Sequence, residues 1–237
     1  MLSQPMNAMI SAARLLFKRR TSLALIVGAY AGLIGAAYLF VTTREATIFQ
    51  LVLTAALVLI VPALFFVLQA ASVSYTGESA FGDVIKNCLR LAVVSLPVIG
   101  LTLLGLYGLK KLDSHQTVAT TLRYLLIGVV IPLLAIQLWI ATSSDGLRAL
   151  LRSLPAIVLR TLAPQSLFVY ACGFLIFAVG PYFLIVKAIP VQRAWLELLL
   201  LLLRLSTAAV LILLGWVTTV GAISILNRRS YSRVTEE

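Results

Sequence analysis

The stretch AFGDVIKNCLRL, residues 80–91, decides how the rest of the chain is interpreted. Its apolar residues recur at the spacing of one helical face, and its polar residues recur at that spacing on the opposite face. The apolar residues are Phe81, Val84, Ile85 and Cys88, and the polar ones are Asp83, Lys86, Asn87 and Arg90. Because long apolar runs flank the stretch, it predicts a basic amphipathic helix that lies in a membrane interface.

Two other segments repeat this arrangement of a basic pair opposite an apolar face. The segment before the first apolar run carries Arg14 and Lys18, and the segment before the fifth run carries Arg148 and Arg152. The apolar face of the first segment is predicted to consist of Met6, Met9, Ala13 and Leu16. We therefore predict a single membrane domain built of three repeat-like units. The domain covers residues 1–237, and the units cover roughly residues 6–77, 78–144 and 145–227.

The composition indicates a membrane protein. Hydrophobic residues make up 61% of the 237 residues and charged residues only 11%, whereas soluble domains carry about 25% charged residues. The net charge of +11 does not indicate nucleic-acid binding, because the basic residues lie beside apolar runs, where they set orientation and contact lipid headgroups. Cys88 and Cys172 lie in apolar surroundings and are interpreted as small buried residues rather than a disulfide.

The predicted fold is all-α. We expect a polytopic membrane protein with six transmembrane helices in three helical hairpins, each preceded by a basic amphipathic interfacial helix. The spans are predicted at residues 22–42, 46–73, 92–109, 121–142 and 166–189 and within 194–226. Ser144 and Asp145 are expected to cap the third amphipathic helix, and Pro155 and Pro164 are expected to interrupt it.

Prolines and glycines at span depth give further expectations. Pro62, Pro132 and Pro181 lie inside predicted spans and are expected to bend them. Gly28 and Gly32 are four residues apart in the first span, and small residues at this spacing let another helix approach closely. We interpret them as packing against a neighbouring span of the same chain rather than as a dimer contact.

Basic residues are divided unevenly between the two sides of the predicted membrane. Twelve lie on the side that carries both termini, and six lie on the other side. Because Lys and Arg accumulate in cytoplasmic segments, both termini and all three amphipathic helices are predicted to be cytoplasmic. Minimal loops and a retained N-terminal segment favour, by analogy, the inner (plasma) membrane of a bacterial cell.

Few polar residues lie at membrane depth. Glu197 and Arg204 are the ionisable ones, seven residues apart on one predicted helix. We interpret Glu197 as lying at the outer surface and Arg204 as extending to that surface, in which case lysine should replace Arg204. A ligand or ion role is the alternative. Gln69 and Gln137 either line a cavity or, as we prefer, join spans through hydrogen bonds.

No pattern of residues supports catalysis, a cofactor or a metal site. No two carboxylates lie at membrane depth, no phosphate-binding glycine loop occurs, and no serine has a histidine partner at span depth. His115 and Asp113 share a loop but are too few ligands for a metal ion. We therefore predict that the chain is not an enzyme.

Three segments carry a resemblance to a known group of proteins. They are AFGDVIKNCLRLAVVSLP at residues 80–97, DGLRALLRSLPAIVL at 145–159 and GWVTTVGAISILNRR at 215–229. Their pattern resembles that of uncharacterised bacterial six-span membrane proteins similar to the membrane domain of some glycerophosphodiester phosphodiesterases. The resemblance implies a fold and no reaction, and it supplies no catalytic residues.

Two functions fit this pattern. The first is a non-catalytic scaffold, accessory subunit or assembly factor whose basic helices contact membrane lipids, preferentially anionic ones, or a membrane-protein partner. The contact residues are predicted to be Lys86, Arg90, Arg148, Arg152, Arg14 and Lys18. The alternative is a transporter of a lipid-like or amphipathic solute, whose repeats move about proline-broken helices.

Overall fold

The structure, a computed structural model, describes residues 3–43, 47–77, 81–110, 116–187 and 193–234. Almost all of these residues are helical, and none of the described residues lies in a strand. The α-helices are α1 (Ser3–Lys18), α2 (Arg20–Thr42), α3 (Ile48–Ser74), α4 (Phe81–Lys110), α5 (Gln116–Leu125), α6 (Ile131–Thr161), α7 (Pro164–Phe174), α8 (Gly180–Val186) and α9 (Ala194–Val234). Two π-helical turns are π1 (Leu126–Val130), between α5 and α6, and π2 (Leu175–Val179), between α7 and α8.

Six stretches of the described helices are long and apolar enough to cross a membrane. They are Arg20–Thr42, Ile48–Ser74, Asp83–Lys110, Thr117–Ser144, Pro164–Val186 and Trp195–Arg228. A hydrocarbon core of about 30 Å needs about 20 helical residues, and each stretch has at least 23. Many large apolar side chains along them are exposed, which suits helices solvated by lipid. By length and composition the chain is an integral, multi-pass membrane protein, as the sequence predicts.

The amphipathic segments do not all form separate helices. α1 is separate: it ends at Lys18, and Arg19 divides it from α2 with a non-helical backbone at φ −94° and ψ 77°. The central segment instead continues into the third span as one helix, α4. The segment after the fourth span likewise continues that span within α6.

The cap predicted at Ser144 and the interruption predicted at Pro155 are therefore wrong. The Ser144 hydroxyl donates a hydrogen bond to the Ile140 carbonyl, at 3.0 Å, one turn earlier in the same helix. That bond supports continuation of α6 rather than the start of a new helix. The break comes instead at Leu162 and Ala163, because Pro164 disfavours helical backbone at the residue before it.

The helices form two compact units. The central unit is Leu15–Ala163, and the terminal unit is Met1–Arg14 together with Pro164–Glu237. In the central unit α3 packs against α2, α4 and α6, and α4 also packs against α6. Every residue of 68–75 and of 136–142 is buried, so these parts of α3 and α6 are enclosed on all sides by protein. The core of the central unit lies there.

In the terminal unit α9 packs closely against α7, π2 and α8. The approach is close because Gly173 faces the side chain of Thr219, and Gly215 faces the backbone and Cβ of Phe177. Phe177 also makes edge-to-face ring contacts with Tyr170 at 5.9 Å and with Trp216 at 5.4 Å. Small residues on one helix and rings on the other therefore interlock, as in other close membrane-helix pairs.

The glycines chosen from the sequence contribute much less to packing. Gly32 meets the side chain of Leu64 at an ordinary 3.5 Å, but a Cβ at Gly28 would have nothing within 4 Å. The predicted close contact at Gly28 is therefore wrong. Spacing alone was right about Gly32, which contacts α3, and wrong about Gly28, because a small residue allows close approach only on the helical face that a neighbour covers.

Two of the prolines inside the spans follow a π-helical turn. Leu126–Val130 precedes Ile131-Pro132, and Leu175–Val179 precedes Gly180-Pro181, within the similar sequences LIGVVIP and LIFAVGP. In both, the residue before proline donates its N–H to the carbonyl five residues earlier. A widened turn accommodates the proline ring, which would otherwise clash with a carbonyl four residues earlier. Pro62 lies within an α3 that has no such turn.

Gly215→Ala is expected to lower the melting temperature of the purified chain. Its new Cβ would lie 2.9 Å from the Phe177 Cβ and 3.0 Å from the Phe177 backbone nitrogen, and overpacking of this kind costs about 1–3 kcal/mol. Thermal unfolding in detergent measures the change. Gly28→Ala is the control, because it enters open space and should leave the melting temperature unchanged or slightly raised. Equal melting of both variants and the parent would contradict the close packing of α9 against π2.

Candidate functional site

One face of α4 is buried in the central unit. Val84, Asn87, Leu91, Val94 and Val98 line it at helical spacing, and all are buried. Val94 and Val98 belong to a cluster of buried side chains from α4 and α6. The first turns of α4 are therefore part of the folded bundle and do not lie loosely beside it.

The rest of the α4 surface is exposed and divides into an apolar strip and a basic edge. The apolar strip consists of Ile85, Leu89 and Val93, which are 53%, 69% and 55% exposed. The basic edge consists of Lys86 and Arg90, both exposed, with exposed Asp83 one turn earlier. Over its first turns α4 thus presents three surfaces: one to protein, one apolar and open, and one charged and open.

This arrangement corrects two residues of the predicted amphipathic face. Asn87 was predicted on the open polar side but is only 8% exposed, whereas Ile85 was predicted to share the face of Val84 but is open. A two-sided pattern assumes one apolar environment. In a membrane a helix meets two apolar environments, the protein bundle and the lipid. The most apolar side of its sequence then points between the two and does not mark the buried face.

α1 has the same three surfaces. Its buried face carries Ala8, Ala12 and Leu16, and its exposed apolar strip carries Met6, Ile10 and Phe17. Arg14 and Lys18 lie exposed on the remaining face. Leu16 is buried as predicted, but Met6 is 59% exposed and lies outside the buried face.

The third predicted basic pair is described in its backbone alone. Arg148 and Arg152 lie within the helical backbone of α6, and their side chains are outside the described ones. His115 and Asp113 also lie outside the described residues. Four of the six predicted contact residues, Lys86, Arg90, Arg14 and Lys18, are therefore placed by the structure, all of them exposed.

Arg19 has a structural contact of its own. Its guanidinium donates to the Gly77 carbonyl in the turn that follows α3. The neighbouring Tyr75 is buried, and that burial raises the pKa of its phenol, which therefore stays neutral at physiological pH. The sequence groups Arg19 with the other basic residues of the α1–α2 junction, but its contact with Gly77 sets it apart from exposed Lys18 and Arg20.

Several polar side chains inside the central unit are buried and hydrogen-bonded to protein, whereas the buried hydroxyls of Thr54 and Ser143 have no hydrogen-bond partner among the described residues. Gln69 and Gln137 are each 2% exposed. The Trp139 indole N–H donates to the Ser95 hydroxyl at 2.9 Å and joins α6 to α4, and Ser95 in turn donates to the Leu91 carbonyl at 2.7 Å. The Trp139–Ser95 bond therefore holds two helices together, and the interpretation that Gln69 and Gln137 do the same stays a prediction.

Gln50 has a local role that the sequence signals. Its side-chain oxygen accepts from the Thr47 N–H at 3.1 Å, while the Thr47 hydroxyl accepts from the Gln50 N–H at 3.3 Å. This reciprocal pair is a capping box at the start of α3. The T-x-x-Q pattern before an apolar run was sufficient to predict it.

Arg204 binds the end of α8. Its Nε donates to the Leu184 carbonyl at 2.6 Å, and its Nη2 donates to the carbonyls of Ile185, at 3.2 Å, and Lys187. The last backbone bond of α8 runs from Lys187 N–H to the Phe183 carbonyl, so later carbonyls lie where helical donors run out. Arg204 therefore links α9 to the C-terminal turn of α8. Glu197 is exposed in the first turn of α9.

Among the described residues, no three His, Cys, Asp or Glu side chains come together in a way that would hold a metal ion. Cys88 and Cys172 are free thiols. The chemistry available at the open surfaces is that of cations beside apolar side chains, which suits binding of an anionic amphiphile.

Comparisons with known proteins identify no relative of this chain. No family profile, curated protein or solved structure matches the chain at a significant level. The resemblance to the membrane domain of glycerophosphodiester phosphodiesterases therefore stays a prediction, and the function is argued from the site itself.

Arg204→Lys is expected to destabilise the chain, because the lysine ammonium cannot reproduce the planar guanidinium that donates hydrogen bonds to three carbonyls. Lost charge-assisted hydrogen bonds of this kind cost about 1–3 kcal/mol. Thermal unfolding in detergent should rank the stability as parent, then Arg204→Lys, then Arg204→Leu. Glu197→Gln, an exposed change on the same helix, serves as the control. If the lysine variant melts with the parent, the original expectation of a replaceable charge stands.

Proposed function

We propose that the chain is a non-catalytic membrane scaffold, accessory subunit or assembly factor. It works through the open basic edges of its amphipathic helices, which contact anionic lipid or a membrane-protein partner. No reaction is assigned to it and no cofactor is required. In this proposal the interior of the molecule has a structural role, and its open charged surfaces bind the lipid or the partner.

One observation carries this proposal: polar side chains in the central unit are enclosed, whereas the basic side chains of α1 and α4 are open. Gln69 and Gln137 lie within the fully buried parts of α3 and α6. Lys86 and Arg90 are exposed on α4, beside an exposed apolar strip. A conducting path would need polar groups that face water along the spans, whereas a scaffold needs recognisable groups on its outside.

For the location, we propose the inner membrane of a bacterial cell, with both termini in the cytoplasm. Six crossings return the chain to the side on which it starts. The side with both termini carries twice as many basic residues as the other, and cytoplasmic segments are the ones enriched in Lys and Arg. The basic edges of α1 and α4 would then face the anionic cytoplasmic leaflet.

The orientation predicts the outcome of reporter fusions. Fusions on the external side should be active with a periplasmic reporter, and fusions on the internal side should be active with a cytoplasmic one. The external positions are after Glu45, Asp113 and Gln192, and the internal positions are after Gly77, Gly146 and Glu237. Two consecutive fusion positions that report the same side would contradict six crossings, and a uniformly inverted pattern would contradict the cytoplasmic termini.

A transporter of a lipid-like or amphipathic solute is the second candidate, and the π-helical turns favour it. π1 and π2 precede Pro132 and Pro181 inside two spans. Widened turns recur at functional sites, and repeat-built transporters use broken helices at their solute sites. A transporter would have to expose its buried polar groups to water during its cycle, and a scaffold would not.

Thiol labelling separates these two functions. In a Cys88→Ala/Cys172→Ala background, Gln69→Cys and Gln137→Cys should resist a membrane-impermeant maleimide in native membranes and react after denaturation in detergent. The scaffold predicts this result because both positions are enclosed by protein. Lys110→Cys, at an exposed helix end, is the reactive control. Labelling of either buried position from one side of the membrane would favour the transporter.

A further inference from the structure

We infer that the first four turns of α4 form a seat for one anionic phospholipid, with its phosphate on Lys86 and Arg90 and its acyl chain along Ile85, Leu89 and Val93. This inference rests on the proposed function, which leaves the occupant of the basic edge as a lipid or a protein. The seat selects between them because its two parts have different chemistry and lie side by side on one helix.

The headgroup part is a pair of cations at the start of a span. Lys86 and Arg90 are four residues apart, so they project from the same edge about 6 Å apart along the helix axis. Both are exposed. The uncharged apolar run of α4 begins directly after Arg90, at residues 91–109, and basic residues beside such a run lie at the level of lipid headgroups. Asp83, also exposed, reduces the positive charge of the same edge.

The part of the seat that holds the acyl chain is the exposed apolar strip. Ile85 and Leu89 lie beside the basic edge, and the strip continues along the span through Val93 and Leu96, which are 55% and 66% exposed. A membrane protein could cover both parts only by placing an acidic group beside an apolar face at this depth. A phospholipid satisfies both parts at once, because its charge and its hydrocarbon are joined at the spacing of the interface.

α1 repeats the seat with different residues. Arg14 and Lys18 are four residues apart and exposed, and Ile10 and Phe17 form an exposed apolar strip on the same helix. Two helices that share only the three-surface pattern thus present the same pair of chemistries. The repetition supports a common ligand class. It also means that a test of α4 has to remove the two basic side chains of α1.

The test is native mass spectrometry of the purified full-length chain in detergent, titrated separately with phosphatidylglycerol and phosphatidylcholine. All variants carry Arg14→Gln/Lys18→Gln, so that α4 is the seat being measured. This background chain should bind phosphatidylglycerol more tightly than phosphatidylcholine. Adding Lys86→Gln/Arg90→Gln should weaken phosphatidylglycerol binding about 30-fold, since each basic residue near an anionic lipid contributes about fivefold. Binding of phosphatidylcholine should not change.

Matched variants check that charge and apolar contact both matter. Lys86→Arg/Arg90→Lys keeps both cations and should bind phosphatidylglycerol like the background chain. Asp83→Asn should strengthen that binding about fivefold, because it removes an opposing charge. Ile85→Ser/Leu89→Ser should weaken the binding of both lipids. Free glycerol phosphate at millimolar concentration should not displace phosphatidylglycerol, since it lacks the hydrocarbon part.

Three results would overturn the seat: equal affinity of the background chain for both lipids, no loss on Lys86→Gln/Arg90→Gln, or displacement by glycerol phosphate. If the purified chain shows no lipid preference but Lys86→Gln/Arg90→Gln abolishes cross-linking to a membrane protein in cells, the occupant is a protein. The lipid inference then fails and the scaffold proposal stands. Water access to Gln69 or Gln137 would instead overturn the scaffold proposal without bearing on the lipid titration.

Discussion

A polar group that folding removes from water needs a hydrogen-bond partner within the chain, and this constraint shapes the ends of the chain's helices. Arg204 supplies guanidinium donors to carbonyls at the end of α8, and Arg19 supplies one to the turn after α3. Thr47 and Gln50 satisfy each other's N–H groups where α3 begins. Residues that look like scattered polar insertions are thus placed where the backbone runs out of its own partners.

The same constraint explains why so few polar groups remain for chemistry. Inside the central unit, hydroxyl groups return to carbonyls of their own helix, as Ser72 does to Leu68 and Thr142 to Leu138, both at 2.7 Å. The indole N–H of Trp139 donates a hydrogen bond to the Ser95 hydroxyl. What is left open is at the edges of α1 and α4, where cations lie beside apolar strips. Polar groups of the interior are thus used in packing, and the open cations lie on the outside.

The sequence predicts the number of spans well, because a continuous apolar run has few alternatives to a membrane helix. It is less informative about rotation: Asn87 and Ile85 exchange environments because the apolar faces towards protein and lipid cannot be told apart by composition. It also fails at Ser144, whose hydroxyl serves the preceding turn instead of capping a new helix. The role of Arg204 depends on the end of α8 at Val186, whereas the sequence predicts a span that continues to residue 189.

The contact between Arg19 and Gly77 joins residues 58 positions apart, and this separation bears on how the chain assembles. This contact can form only after α2 and α3 have both been made, because Gly77 follows α3 in the chain. The end of α1 is thus held by a turn that lies two helices later in the sequence.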